Sequence, residues 1–219
     1  MAIEVFWISG SPFSWRVLLA LEIKGLAYSS RLLQRSEREH KTPEFLAMNP
    51  RGQVPVLRDG DTVIYESIAI LAYLDRKAPS PPLFGTNPAE AGHIWQLICE
   101  QIAYLDEIAD DFILPLYFGQ SEERSAQVSA AIPIIAKELA RAEEGLRGRS
   151  WRVGDAISAG DISLFPTVKS LLRAAGKPAA GAFDHGLTPF AQRYPALAQW
   201  CARIEALPGY ERTVPPHWR

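Results

Sequence analysis

Cysteine is scarce in this chain: 219 residues contain two, Cys99 and Cys201. They stand far apart and form no Cys-x-x-Cys pair, which excludes a secreted disulfide scaffold. The four histidines (His40, His93, His185 and His217) are scattered, so no stretch offers the four ligands of a structural zinc, and no metal is expected. No apolar run reaches the ~18 residues that cross a bilayer. The first residues carry Glu4 where a signal peptide carries lysine or arginine, so the expected location is cytoplasmic, with no membrane partner. A basic excess is also missing. Lys plus Arg is 23 and Asp plus Glu is 25, a net charge of −2, which argues against a nucleic-acid partner. What remains is 47% hydrophobic and 22% charged, an ordinary folded chain long enough for one or two domains.

Two textures divide the sequence. Glu4 to Ser9 reads as a strand, and Ser11-Pro12 opens a helix that Gly25 ends. Ala27 to Leu33 is a second strand, and a short helix runs from Thr42 to Met48. Asn49-Pro50-Arg51-Gly52 is turn chemistry. Val54 to Arg58 and Thr62 to Tyr65 form a hairpin through Asp59-Gly60-Asp61, and Ser67 to Lys77 is a third helix. A helix between strands implies parallel pairing, while the hairpin implies an antiparallel edge. The expectation is a four-stranded mixed sheet with helices on its faces. The proline-rich stretch from residue 79 to 88 reads as a linker. Beyond it the pattern is helical: Ala89 to Tyr117, Glu122 to Leu146, Asp161 to Ala174 and Pro195 to Ala206. The expected fold class is therefore α/β plus all-α, an N-terminal domain over residues 1–80 and an all-helical domain over 89–219.

Four motifs carry candidate chemistry. Ser11-Pro12 is a helix cap and first-turn proline, and the same geometry sets a hydroxyl beside free amides at the positive end of a helix. Such a hydroxyl can donate to a thiolate and lower its pKa from the ordinary ~8.5. Ser14, one turn on, is the alternative donor. In Gln53-Val54-Pro55-Val56 a proline interrupts a strand. It is either an edge or a cis bond that leaves the Val54 backbone for a peptide ligand. Glu66-Ser67 precedes a helix. Ser67 is a cap, or a receiver of a ligand carboxylate, with Glu66 accepting from an ammonium. Ser158-Ala159-Gly160-Asp161, between Ile157 and Ile162, is a capping box with its hydrophobic staple and reads as structural. His40 and Lys41 could hold a second ligand carboxylate.

Taken in this order, these motifs resemble the cytosolic glutathione transferase family, with similarity running from Ile3 to about Arg212. The resemblance implies a thioredoxin-like N-terminal domain that binds glutathione as co-substrate. It also implies an all-helical C-terminal domain that contributes the pocket of a small hydrophobic electrophile, and a homodimer. By motif position, Ser11 matches the serine that stabilises the glutathione thiolate, Val54 before Pro55 the cysteinyl backbone contact, and Glu66 and Ser67 the γ-glutamyl contacts. His40, Lys41 and Gln53 match the glycyl end, and Asp161 the non-catalytic capping acid. The electrophile side is assigned to Phe13, Tyr104, Phe112, Leu116 and Tyr117, against the alternative that such a stripe is core. Ser11-Pro12-Phe13 is similar to serine-type phi and tau members, and Ser-Trp-Arg-Val to the zeta class. No cysteine precedes residue 99, which argues against cysteine-dependent isomerase or disulfide chemistry. The expected activity is conjugation of glutathione to electrophiles in detoxification. The alternatives are a glutathione-dependent peroxidase, a maleyl-type isomerase, a reductive dehalogenase and a non-catalytic binder.

Overall fold

The computed structural model describes residues 3–218, which divide into two compact units. One runs up to Phe84 and takes back the chain from Ala206 onward; the other is Gly85–Glu205. The sequence-based boundary differs in two ways. The proline-rich stretch stays with the first unit as far as Phe84, and the chain end does not belong to the helical unit.

In the first unit the order is β1 (Ile3–Trp7), α1 (Pro12–Ile23), β2 (Tyr28–Leu32), α2 (Pro43–Met48), β3 (Val56–Asp59), β4 (Thr62–Tyr65) and α3 (Ser67–Lys77). The strands lie in the order β2-β1-β3-β4. β1 and β2 are parallel, as the intervening helix requires, β3 and β4 are antiparallel, as the hairpin requires, and β3 is also antiparallel to β1. Alternation along β1 buries Ile3, Val5 and Trp7 on one face. The other face carries Phe6, met edge-on by Phe45 of α2, and Glu4, which accepts from Arg31 of β2 and Arg58 of β3. Those two guanidinium hydrogen bonds hold the Glu4 carboxyl below its ordinary range. α1 is apolar almost all round, from Trp15 to Leu21, and packs on α3.

Lys24 fastens the proline-rich stretch to this unit. Its ammonium is fully buried and donates to Asp75 Oδ1 at 2.8 Å, the Ala78 carbonyl at 2.6 Å and the Pro81 carbonyl at 2.8 Å. Three donors meet three acceptors, so the buried charge is satisfied.

The second unit contains α4 (Pro88–Gln101), α5 (Glu107–Tyr117), α6 (Ser125–Leu146), α7 (Ala159–Ala175), α8 (Phe190–Arg193) and α9 (Pro195–Glu205). The expected single helix from 89 to 117 is interrupted by a π-helical stretch, Ile102–Asp106. The reason is visible in the contacts. Five-residue spacing brings Gln101 Nε2 within 3.0 Å of Asp106 Oδ1, inside a buried polar cluster with Ser163 and Thr167 of α7. A short α10 (Tyr210–Thr213) follows in the returning segment of the first unit.

The capping box at α7 centres on a carboxylate that accepts four hydrogen bonds. Asp161, fully buried, accepts at Oδ2 from the Ser158 amide (2.9 Å) and hydroxyl (2.8 Å). At Oδ1 it accepts from the Arg152 amide (3.0 Å) and Trp200 Nε1 (2.8 Å). All four partners are donors, so an amide in place of the carboxylate would set its NH2 against two of them. Asp161→Asn is therefore expected to cost about as much as Asp161→Ala, roughly 3 kcal/mol, and Ser158→Ala about 1 kcal/mol. Urea unfolding monitored by tryptophan fluorescence measures all three, and a near-neutral Asp161→Asn would contradict this reading.

Candidate functional site

The sheet register gathers the candidate residues at one edge of the first unit. β1 and β3 pair Glu4 with Arg58, Val5 with Leu57 and Phe6 with Val56. Continued outward, this register sets Val54 opposite Ile8, at the start of the turn leading to Ser11. β3 and β4 pair Val56 with Tyr65, so Glu66 and Ser67 follow at the same end. The parallel β2 also ends there and leads to His40 and Lys41. Three segments distant in sequence and the β1–α1 turn thus converge by topology alone.

Ser11 is the N-cap of α1. Its Oγ accepts the Ser14 amide at 3.2 Å, with extended backbone at φ −73° and ψ 117°. Capping uses a lone pair of the hydroxyl and leaves its proton for an acceptor outside the helix. The cap and thiolate readings of Ser11 are therefore compatible. Ser14 is fully buried. Its Oγ meets no hydrogen-bond partner among the described residues. Ser11 is half-buried and so is the more accessible of the two hydroxyls.

Val54–Pro55 is a cis bond, and Val54 lies beyond the ladder of β3, which begins at Val56. Val54 is half-buried, Pro55 buried and Gln53 exposed. The loop before them is fixed by Asn49, buried at 2% exposure. Its Nδ2 donates to the Gln53 carbonyl at 2.7 Å and its Oδ1 accepts the Arg51 amide at 3.1 Å. Lys41 lies across this loop and donates to the Arg51 carbonyl at 3.2 Å. Gly52, at φ +59°, is needed for that approach, since a Cβ there would stand 2.6 Å from Lys41 Nζ.

Glu66, not Ser67, is the N-cap of α3, and Ser67 is its first helical residue. Glu66 is exposed and sits at φ 71°, ψ 114°, a strained backbone for a residue with a Cβ. No side chain caps this helix, whereas Ser11, Thr42 and Asn87 cap α1, α2 and α4. Sequence reasoning missed Arg16. It is 1% exposed, extends Nη1 to a long 3.5 Å contact with Ser67 Oγ, and stacks its guanidinium over Phe13 at 4.7 Å. It therefore ties the first turn of α1 to the start of α3. The signal was a single cation inside the apolar run from Phe13 to Leu21.

The helical residues assigned to the electrophile separate into two groups. Phe112 (fully buried, its ring edge against His185) and Leu116 (5% exposed) continue the inward stripe of Leu105 and Ala109. They are core of the helical unit and present no lining surface, because a 4-3-4 spacing keeps them on one helix face. Tyr104 is 55% exposed and Tyr117 half-buried, with Lys177 Nζ 4.8 Å over its ring. Burial raises the Tyr117 phenol pKa against the opposing pull of Arg173.

The glutathione S-transferase N-terminal domain matches residues 10–77, and the corresponding C-terminal domain matches residues 125–203. Glutathione S-transferase A of Pleuronectes platessa is 33% identical over 219 residues, spanning 98% of this chain and 92% of that protein. The chain belongs to the glutathione S-transferase family. A probable maleylacetoacetate isomerase of Vibrio cholerae is 32% identical over 218 residues, 96% of this chain and 93% of that one. Among solved structures, a glutathione transferase family member of Pseudomonas fluorescens pf-5, with two glutathione bound, shares the fold. Its TM-score is 0.85 over 98% of this chain and 92% of that chain, at 23% identity. Among the described residues of this glutathione S-transferase, no group of His, Cys, Asp and Glu is arranged to hold a metal ion.

His40 and Lys41 differ in what charge they bring. Burial first, then the cations Lys41, Arg35 and Arg38, push the His40 imidazole below its ordinary 6.5. His40 is therefore mainly neutral at pH 7, and the positive charge beside it comes from Lys41, Arg35 and Arg38. Removing a neighbouring cation lets an imidazole keep its proton to higher pH, so Lys41→Met should raise the His40 midpoint. Two-dimensional NMR titration of the His40 ring measures it. An unmoved midpoint would contradict the part given to Lys41 and leave the depression to burial and the two arginines.

Proposed function

We propose that this protein conjugates the glutathione thiolate to small hydrophobic electrophiles, with Ser11 as the hydroxyl that donates to the sulfur. The observation that carries the proposal is the geometry of Ser11. It is a half-buried cap whose lone pair serves the Ser14 amide, with its own proton left to donate at the positive end of α1. The serine, the Val54–Pro55 peptide, the start of α3 and Lys41 all lie at one end of the sheet, as binding one extended tripeptide requires.

In this reading glutathione lies along Val54 and pairs its cysteinyl backbone as an added strand would. The γ-glutamyl carboxylate meets the start of α3 at Ser67, where no side chain competes for the first amides, and its ammonium meets Glu66. The glycyl end reaches Gln53 and Lys41, with His40 beside them as a neutral hydrogen-bonding group. The Ser11 hydroxyl donates to the sulfur, favours its ionised form and so lowers the thiol pKa. The thiol proton passes to water, and the thiolate attacks the electrophilic carbon, forming a C–S bond as halide leaves an aryl halide or as the C–O bond of an epoxide opens and its oxygen takes up a proton from water. Holding both reactants together supplies orientation and effective concentration. Phe13, Tyr104 and Tyr117 are the residues assigned to the electrophile. Asp161, buried in four hydrogen bonds, is left to stability.

A homodimer is part of the proposal. Trp95 and Ile102, seven residues apart on one helical face and 43% and 52% exposed, support it as surface that a second copy would cover. Detoxification in the cytoplasm is the proposed setting, supported by two unpaired cysteines. A maleyl-type isomerase is a second reading, favoured by the similarity to the Vibrio cholerae protein. Peroxide reduction would use the same activated thiolate.

The test is a titration of thiolate absorbance with glutathione bound, for wild type, Ser11→Ala and Ser14→Ala. Ser11→Ala should move the midpoint up by about one unit and lower kcat at least about tenfold, while Ser14→Ala keeps the wild-type midpoint. Coincident Ser11→Ala and wild-type curves would reject the role of Ser11. A parallel screen of aryl halides, epoxides, isothiocyanates, organic hydroperoxides and a maleyl compound separates the reactions, and no turnover of any would favour a binder.

A further inference from the structure

The turn that delivers Ser11 is held by the far end of the chain. It runs from Ile8 to Ser11, closed by the Ser11 amide donating to the Ile8 carbonyl at 3.2 Å, with Gly10 at φ +86°. Its central residues are Ser9 and Gly10, and neither has a part in the glutathione reading above. His217, 208 positions later, touches both.

The contacts define the imidazole tautomer. Trp218 Nε1–H donates to His217 Nε2 at 3.0 Å. An indole N–H can only donate, so Nε2 is the ring's lone-pair nitrogen and Nδ1 carries the proton. Nδ1–H then donates to Ser9 Oγ at 2.7 Å. The ring also lies against the bare α-carbon of Gly10, where a Cβ would stand 2.9 Å from His217 Cε1. Glycine at position 10 thus serves the turn's backbone angle and the approach of this ring.

The tail is anchored on the same helix that Ser11 caps. Trp218 meets Trp15 of α1 edge-on at 5.1 Å and 90°. Trp15, 2% exposed, donates from Nε1 to Thr213 Oγ1 at 2.8 Å, and that hydroxyl donates to the Tyr210 carbonyl at 2.7 Å. Arg212 is paired with Glu22 near the other end of α1. The segment from 210 to 218 is therefore bonded to α1 along its length and places His217 on the turn just before Ser11.

We infer that His217 and Trp218 clamp the Ser9-Gly10 turn, and that His217 is a positioning residue holding the Ser11 hydroxyl in line with the glutathione sulfur. The sulfur's part in this inference rests on the function proposed above; the clamp itself does not. An end-of-chain segment that only stabilised the fold would affect binding and turnover together. A clamp on this turn affects the sulfur, because the contacts to the two ends of glutathione lie on other segments.

The experiment compares wild type with His217→Ala, His217→Asn, Ser9→Ala and the His217→Ala/Ser9→Ala double variant. Amide hydrogen exchange over residues 8–12 is followed without ligand. Then kcat, glutathione KM and the thiolate midpoint are measured with an aryl halide as electrophile. Asparagine sets an amide N–H where the Nδ1–H stood, so it keeps the bond to Ser9. Expected for His217→Ala are exchange faster by about fivefold, kcat lower by about fivefold and a raised thiolate midpoint, the effect of one ordinary hydrogen bond. Glutathione KM should change by less than about twofold. His217→Asn should recover most of the loss, and Ser9→Ala should add little to His217→Ala. Wild-type exchange and kcat in His217→Ala would overturn the inference. So would an Asn variant as impaired as the Ala variant with KM and kcat shifted together. If wild type itself failed to ionise glutathione, that result would fall on the proposed function, and the exchange measurement would still decide the clamp.

Discussion

A serine hydroxyl has one proton and two lone pairs, and at the start of α1 the helix takes up one of the lone pairs. A lone pair of Ser11 receives the Ser14 amide, which secures the helix start and fixes the side-chain direction. The proton is left at the positive end of the helix, where an anion is favoured. Ser14 is fully buried, which leaves Ser11 the more accessible of the two hydroxyls.

The rest of the first unit positions that hydroxyl. The register of β1, β3 and β4 brings Val54 and Ser67 to the end of the sheet where the turn to Ser11 begins. Arg16 ties the first turn of α1 to Ser67, and Lys24 ties the end of α1 to the proline-rich stretch through three carbonyl and carboxylate oxygens. Arg16 lies within α1 and Lys24 caps its end, and each buried cation is given specific partners. In the helical unit Asp161 has the corresponding place, with four donors on two oxygens joining α7 to α9 and to the segment before it. Polar groups with fixed geometry thus locate the elements, while apolar burial supplies most of the driving force.

Much of this was legible in the sequence because it depends on local chemistry. The mixed sheet followed from a helix between the first two strands and Asp59-Gly60-Asp61 between the last two, while the pairing of β1 with β3 came only from the structure. Ser11 and Asp161 stood out as cap and capping box, since those motifs need only three or four adjacent residues. What was not legible depends on contacts between distant residues. The return of the chain end to the first unit rests on Trp15 with Thr213 and Ser9 with His217, pairs about 200 positions apart that no periodicity reveals. The π-helical stretch after Gln101 arises from partners on α7, so its helical pattern looked continuous. Phe112 and Leu116 show the limit of reading a helix stripe. The same spacing serves a core or a pocket, and here it is core. Glu66 displaced Ser67 as the cap because the backbone at 66 takes a positive φ that residue preferences do not foretell.

The most direct measurement is a crystal structure of the protein with glutathione bound. The account predicts the tripeptide along Val54, its γ-glutamyl end at Glu66 and Ser67, and its sulfur within hydrogen-bonding distance of Ser11 Oγ. A sulfur held by another group, or glutathione bound away from this end of the sheet, would contradict it.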